Sequence, residues 1–225
     1  MIMQHPDKRQ KLALAALIVS SVLVLFVGTT WGVRTLVVSR MQANAQPTAN
    51  AIGGFPLTGT PAPDFNLTDQ FGRAVSLSSL RGHEIVLAFI DSQCKSLCPL
   101  TATIMYDAKT KLGASAANQV SLIAVNANPA ATSVAAVQAW SIEHGMLHQW
   151  LFLTGPAKQL QAIYHQYGIY DQVNPDGQAV HDPITFIIDA NGQERLYFET
   201  LDSSSKLDLS DQEIGLEAGM RQWLP

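Results

Sequence analysis

Residues 84–99 read EIVLAFIDSQCKSLCP, and this stretch decides the fold class. After Glu84 come six consecutive apolar residues, too few for a helix of ordinary length but the right number for a strand buried on both faces. Such a strand belongs in the middle of a sheet whose two faces are both covered. The C-x-x-x-C-P segment follows at once, so Cys94 and Cys98 occupy the C-terminal edge of that sheet, where open α/β sheets bind their ligands. Working outward, Phe65, Leu67, Phe71 and Val75 flank Asp69-Gln70-Phe71-Gly72, an alternation around a turn that predicts a β-hairpin. Residues 76–80 predict a short helical turn ending at Gly82. Beyond the cysteines, the pattern predicts helices over 101–112, 132–144, 156–167 and 210–223. The third of these has Pro156 near its start and Gly168 after its end, the usual helix punctuation. Strands are expected at 120–125 and 150–153, with a terminal hairpin of 184–188 and 194–198 across Asn191-Gly192. The alternation of strands and helices implies an α/β fold, a mixed sheet with helices on both faces. No internal repeat is visible.

The chain has 225 residues, enough for one domain of about 150 to 180 residues and an extra segment. Apolar residues make up 47% and charged residues 14%, with 15 Gly and 11 Pro, which fits neither disorder, collagen nor a coiled coil. Charge is unevenly placed. Lys8, Arg9, Lys11, Arg34 and Arg40 face one acid, Asp7, ahead of residue 41, leaving nine Lys and Arg against 17 Asp and Glu in the remainder, a net of −8. An acidic domain without a basic stripe lacks the surface on which nucleic acids exchange counterions, so nucleic acid is excluded as a partner.

Residues 12–33, LALAALIVSSVLVLFVGTTWGV, form 22 positions without a charge. At about 1.5 Å per residue, a helix of that length crosses a hydrocarbon core of roughly 30 Å. The rival reading is a cleaved signal peptide, since Ala43-Asn44-Ala45 resembles an A-x-A site. The apolar stretch is longer than the roughly 7 to 15 residues of a signal peptide, and Arg34 and Arg40 precede the cut, so an uncleaved anchor is expected. The basic N-terminal flank keeps that end in the cytoplasm and places the rest outside it. The expected organisation is a cytoplasmic tail (1–11), a transmembrane helix (12–33), a linker (34–62) rich in Ala, Gly, Pro and Asn, and one domain (63–225). A single-pass protein of the inner (plasma) membrane with a periplasmic C-terminal domain follows.

Two cysteines four residues apart are not the disulfide framework of a small secreted domain. With Cys98 in the first turn of a helix, the helix N-terminus favours its thiolate, and Pro99 fits there because its missing N–H has no intrahelical partner to lose. The i, i+4 spacing suits a redox-active disulfide or a shared soft metal, and a merely stabilising local disulfide is the weaker reading because so short a loop contributes least. Among the histidines, His5 falls in the tail, and His83, His144, His148 and His165 read as surface residues. His181 stands in a loop directly ahead of a buried strand, at the Asp182-Pro183 step. That position suits function, although a turn histidine without a ligand is the simpler reading of it in isolation.

Taken together, PAPDFNLTDQFGRAVSLSSLRG (61–82), the IVLAFI strand, the C-x-x-x-C-P segment and HDPITFIIDANG (181–192) resemble the Sco/SenC family of membrane-anchored, thioredoxin-like proteins over about residues 61–200. The resemblance implies a thioredoxin-like mixed sheet flanked by helices, preceded by one N-terminal transmembrane helix. It also implies copper delivery, or thiol reduction, during assembly of the binuclear copper site of cytochrome c oxidase. The family's copper ligands carry over to Cys94, Cys98 and His181, with Phe186, Asp189 and Gly192 at the family's offsets from the histidine. The oxidase subunit carrying that copper site, and other periplasmic copper or thiol proteins, are the implied partners. Two departures stand out: Ile90-Asp91-Ser92-Gln93-Cys94-Lys95-Ser96-Leu97 stands where the family has an aromatic and Thr-His before or within the C-x-x-x-C segment, and Pro183 falls where thioredoxin-like reductases carry a proline facing their cysteines.

Two thiolates and an imidazole suit copper, Cu(I) or Cu(II), better than magnesium or calcium, and a structural zinc would want a fourth donor. The alternative function is a membrane-tethered thiol-disulfide oxidoreductase, in which one thiolate attacks a partner disulfide and the second resolves the mixed disulfide. Such enzymes usually carry C-x-x-C. A thiol peroxidase needs P-x-x-x-T-x-x-C, but Asp91 and Lys95 stand at the Pro and Thr offsets from Cys98. A non-catalytic interaction module is the remaining class.

Overall fold

The computed structural model describes residues 54–169, 171–173, 179–181, 183–202 and 208–225, with 171–173 and 179–181 described by their backbone. The anchor expected at 12–33 and the linker up to residue 53 lie outside the described residues. Among those described, no helix is long and apolar enough to cross a membrane.

The chain begins with β1 (Phe55–Pro56) and the hairpin of β2 (Asn66–Thr68) and β3 (Ala74–Ser76). A 3-10 turn (Leu77–Leu80) follows, capped by the Ser76 hydroxyl, which accepts from the Ser79 N–H at 3.2 Å. The central strand β4 (Glu84–Ile90) leads through the cysteine segment into α1 (Leu97–Lys111) and a short α2 (Ala114–Ala117). Strand β5 (Val120–Asn126), helix α3 (Val134–Glu143), strand β6 (Leu151–Leu153) and helix α4 (Ala157–Gln166) complete the α/β part. Then come β7 (Asp171–Val173), β8 (Ala179–His181), β9 (Ile184–Ile188), β10 (Glu194–Glu199) and α5 (Leu209–Trp223), the last opened by a capping box of Asp208 and Asp211.

Six strands form one sheet in the order β1-β10-β9-β4-β5-β6, with β4, β5 and β6 parallel and β1, β10, β9 and β4 joined antiparallel. This is the mixed α/β, thioredoxin-like architecture the sequence predicts. All seven residues of β4 are buried because it lies inside the sheet and is covered on both faces. Val86, Ala88 and Ile90 pack against α1, α3 and α5 through Ala102, Met105, Val137, Trp140, Leu216 and Met220. Ile85, Leu87 and Phe89 point the other way, onto the β2–β3 hairpin and α4, through Phe65, Leu67, Leu160, Ile163 and Tyr164. The side-chain alternation of a strand thus divides one apolar run between two cores.

The β2–β3 turn is fixed by a side chain. Gln70, fully buried, donates to the carbonyls of Leu147 (3.0 Å) and Trp150 (2.9 Å), and its amide oxygen accepts from the Phe152 N–H at 2.8 Å. On the other face Gly219 of α5 approaches the sheet so closely that a Cβ there would lie 2.8 Å from Ile187 and 2.9 Å from Phe198.

Three details differ from expectation. Helix α1 starts four residues earlier than residue 101, because Pro99 is tolerated inside a first turn whose N–H groups have no partners. Phe55 and Pro56, in the stretch expected to be linker, pair with Tyr197 and Leu196 as an edge strand, and the Phe55 ring stacks on Tyr197 at 4.9 Å. The β7–β8 ribbon and α2 are too short to leave a periodic signature.

Candidate dithiol site

Strand β4 ends at Ile90, whose carbonyl accepts from the Ala127 N–H at 2.9 Å, and the chain then turns out of the sheet. The Asp91 carboxylate accepts from the Gln93 N–H at 2.8 Å, and the Asp91 carbonyl accepts from the Cys94 N–H at 3.1 Å. These bonds wind residues 91–94 into a turn that presents Cys94. Ser96 is the N-cap of α1 and provides no side-chain cap, so the first-turn N–H groups remain for other acceptors.

Cys98 is the second residue of α1 and sits in the main core at 2% exposure, while Cys94 is half-buried and packs against that core. Both are in the reduced form. The Cys98 thiol hydrogen-bonds to the Cys94 sulfur, and this bond is the main reason that the Cys94 thiol falls to about 5. Burial opposes that shift, and bonds from the Ser96 and Cys98 N–H groups and the Ser96 hydroxyl, 3.6 Å from the sulfur, assist it. The same hydrogen bond between the sulfurs pushes Cys98 far above the ordinary thiol range, as do burial and the charge of Cys94, while a backbone hydrogen bond at Asp91 opposes the rise. The result is an asymmetric pair: an accessible thiolate at Cys94 and a buried thiol at Cys98.

Three neighbours of the pair are not apparent in the sequence. Asp91, 2% exposed, accepts a hydrogen bond from the side-chain amide of the fully buried Asn128 at 3.0 Å. The Trp140 indole N–H reaches the Cys94 carbonyl at 3.5 Å, and its ring stacks on His144 at 3.8 Å and on Trp150 at 5.5 Å. His144 is therefore half-buried against Trp140, rather than a plain surface histidine. His148 is exposed and stacks on Phe71 at 5.8 Å, and His83 and His165 are exposed as expected.

His181 ends β8, opposite Asp171, three residues ahead of β9. Strand β9 runs antiparallel to β4 with Thr185 opposite Ala88, so the chain enters β9 at the edge where β4 releases the cysteine segment. The backbone thus brings His181 to the same edge as Cys94 and Cys98. Asp182 lies outside the described residues. Pro183 is tied to this edge through its carbonyl, which accepts from the Thr200 N–H at 2.8 Å, and the Thr101 hydroxyl of α1 donates to that of Thr200 at 2.8 Å. Among the described residues no three Cys, His, Asp or Glu side chains gather into a metal-holding group, and the side chain of His181 lies outside those residues. The soft sulfurs of the dithiol suit copper, as the sequence proposes.

A six-stranded mixed sheet with a cysteine pair at the strand-to-helix junction defines a thioredoxin-like dithiol protein. Residues 56–209 match the model of the SCO1/SenC family, and the chain belongs to that family. No curated protein matches the chain. Solved structures of similar fold include copper-bound ScoI from Arabidopsis thaliana, 18% identical with a TM-score of 0.61, covering 73% of this chain and 100% of that one. Apo Sco1 from Thermus thermophilus is 21% identical with a TM-score of 0.63, covering 78% and 98%. BsSco, a member of the Sco family of cytochrome c oxidase assembly proteins in which a disulfide switch was identified, is 20% identical with a TM-score of 0.60, covering 75% and 95%.

Proposed function

We propose that this protein is a copper-binding assembly factor that acts at the binuclear copper site of cytochrome c oxidase. It either delivers copper or reduces that site's cysteines, from a domain held on the periplasmic side of the inner membrane by residues 12–33. The observation that carries the reading is the reduced Cys94–Cys98 pair at the sheet edge to which the β8–β9 backbone also brings His181, in a chain of the SCO1/SenC family. Copper is the cargo, and it bonds to deprotonated sulfur. Cys94 is already disposed to be a thiolate, and the loss of the Cys98 proton accompanies metal binding. His181 supplies the third donor. The fold similarity to a copper-bound ScoI and to a Sco protein with a disulfide switch supports both halves of the proposal.

One observation favours thiol-disulfide exchange as a second reading. An accessible low-pKa sulfur backed by a buried thiol is the arrangement of an attacking and a resolving cysteine. Cys94 would attack one sulfur of a partner disulfide, releasing the other as a thiolate. Cys98 would then give up its proton and displace the partner from the mixed disulfide, leaving Cys94–Cys98 oxidised and the partner reduced. Copper titration of the reduced full-length chain distinguishes the readings. One tightly held copper per chain, absent after oxidation, supports copper carriage, whereas reduction of a model disulfide peptide without copper affinity supports the second reading. A reporter fused after Pro225 that is active only outside the cytoplasm tests the location, and activity inside would refute it.

A further inference from the structure

Below the cysteine segment, two buried polar side chains from different strands meet. Asp91 is the first residue beyond β4 and Asn128 the second beyond β5, and their bond spans 3.0 Å. Asn128 is itself held. Its side-chain oxygen accepts from the Ala130 N–H at 2.9 Å, and its own N–H donates to the Asn126 side-chain oxygen at 3.2 Å. The Asn126 amide donates to the Ala131 carbonyl at 2.8 Å, and the Tyr164 hydroxyl to the Asn126 carbonyl at 2.5 Å. A rigid network at the end of β5 thus grips one carboxylate. Through its own bonds to the Gln93 and Cys94 N–H groups, that residue fixes the turn carrying Cys94. A carboxylate is costly to bury unless its partners compensate, and an amide-to-carboxylate bond is among the stronger kinds.

We infer that Asp91 and Asn128 are positioning residues that hold the 91–94 turn in the conformation of the reduced pair and so resist closure of the disulfide. This rests on the dithiol reading above. Cys98 is locked in α1 and buried, so bringing the sulfurs from hydrogen-bond contact to the roughly 2.05 Å of a covalent bond must move Cys94. The backbone of Cys94 hangs on Asp91, and Asp91 hangs on Asn128. The clamp therefore biases the pair towards the dithiol through hydrogen-bond geometry.

The test equilibrates the full-length protein with glutathione buffers. In that reaction the dithiol and one oxidised glutathione become the protein disulfide and two reduced glutathiones, which take up the two electrons and the two protons. Asn128→Ala should shift the equilibrium constant about tenfold towards the disulfide, the scale set by one hydrogen bond to a charged group. Asn128→Ser, a milder truncation that also removes the amide, should shift it in the same direction. The exchange Asp91→Asn with Asn128→Asp keeps an amide-to-carboxylate bond with the partners reversed, and should return the constant to within about threefold of the parent. An unchanged constant in folded Asn128→Ala or Asn128→Ser, or an exchange variant that behaves like Asn128→Ala, would overturn the clamp while leaving the dithiol reading intact. A parent protein that forms no disulfide in these buffers would remove the dithiol reading and the clamp with it.

Discussion

The sulfur of Cys94 accepts a hydrogen bond from the thiol of Cys98 across a boundary of burial, and this contact is the largest of the causes that set their acidities apart. Alkylation of Cys94 in the reduced chain should rise through about pH 5 and level off before neutrality, with Cys98 unreactive until the fold is lost. Cys98→Ala removes the largest cause of the shift, and the midpoint should move up towards an ordinary thiol. Rates of iodoacetamide modification against pH read both outcomes, and a midpoint unaffected by Cys98→Ala contradicts the account.

Copper and the disulfide should exclude each other, because the metal needs both sulfurs deprotonated and unbonded to one another. Cys94→Ser or Cys98→Ser should remove tight binding. His181→Ala should retain a weaker two-sulfur site with an altered Cu(II) absorption spectrum. Equilibrium dialysis and spectra of the oxidised, reduced and variant proteins decide the matter. Full copper affinity in the oxidised chain would refute it.

Glu84 opens β4 fully buried, and neither carboxyl oxygen finds a hydrogen-bond partner among the described residues. Burial first, and the Asp189 charge second, push it up from 4.5 to about 8. The folded state therefore holds a proton that the unfolded chain releases. This stability is complete below the ordinary carboxyl range and is lost as pH rises towards about 8. The loss should be on the order of 5 kcal/mol. Denaturant unfolding at several pH values should show the decline in the parent and a flat profile in Glu84→Gln.

Gln70→Ala should strip three backbone groups of Leu147, Trp150 and Phe152 of their partners in a buried setting. A cost of about 2 to 4 kcal/mol follows, measurable as a lower urea midpoint. A change below 0.5 kcal/mol, on the order of a neutral surface substitution, would show that water replaces the side chain freely.

Much of this fold is legible because long apolar runs and helix punctuation are local signals. The run 85–90 and the residues Pro156 and Gly168 each mark an element without knowledge of its neighbours. The cysteine pair is legible for the same reason, being four residues apart beside a buried strand. His181 stands out by its place ahead of a buried strand, but it becomes a metal ligand only through the family resemblance, since nothing beside it in sequence names a metal. Asn128 leaves no local trace at all, because its meaning lies in Asp91, 37 residues away, and appears only once β4 and β5 lie side by side. Gln70 reads as an ordinary turn residue until β6 arrives beneath it.

Strand β4 begins at Glu84 and hands over to the cysteine segment after Ile90, so two titrating systems occupy its opposite ends. An activity profile of this protein would superpose them: an acid limb from Cys94 and a decline towards about pH 8 from a carboxyl at the far end of the strand from the cysteines. The falling limb would report the scaffold and be mistaken for chemistry. Glu84→Gln supplies the background in which the behaviour of the sulfurs can be measured alone.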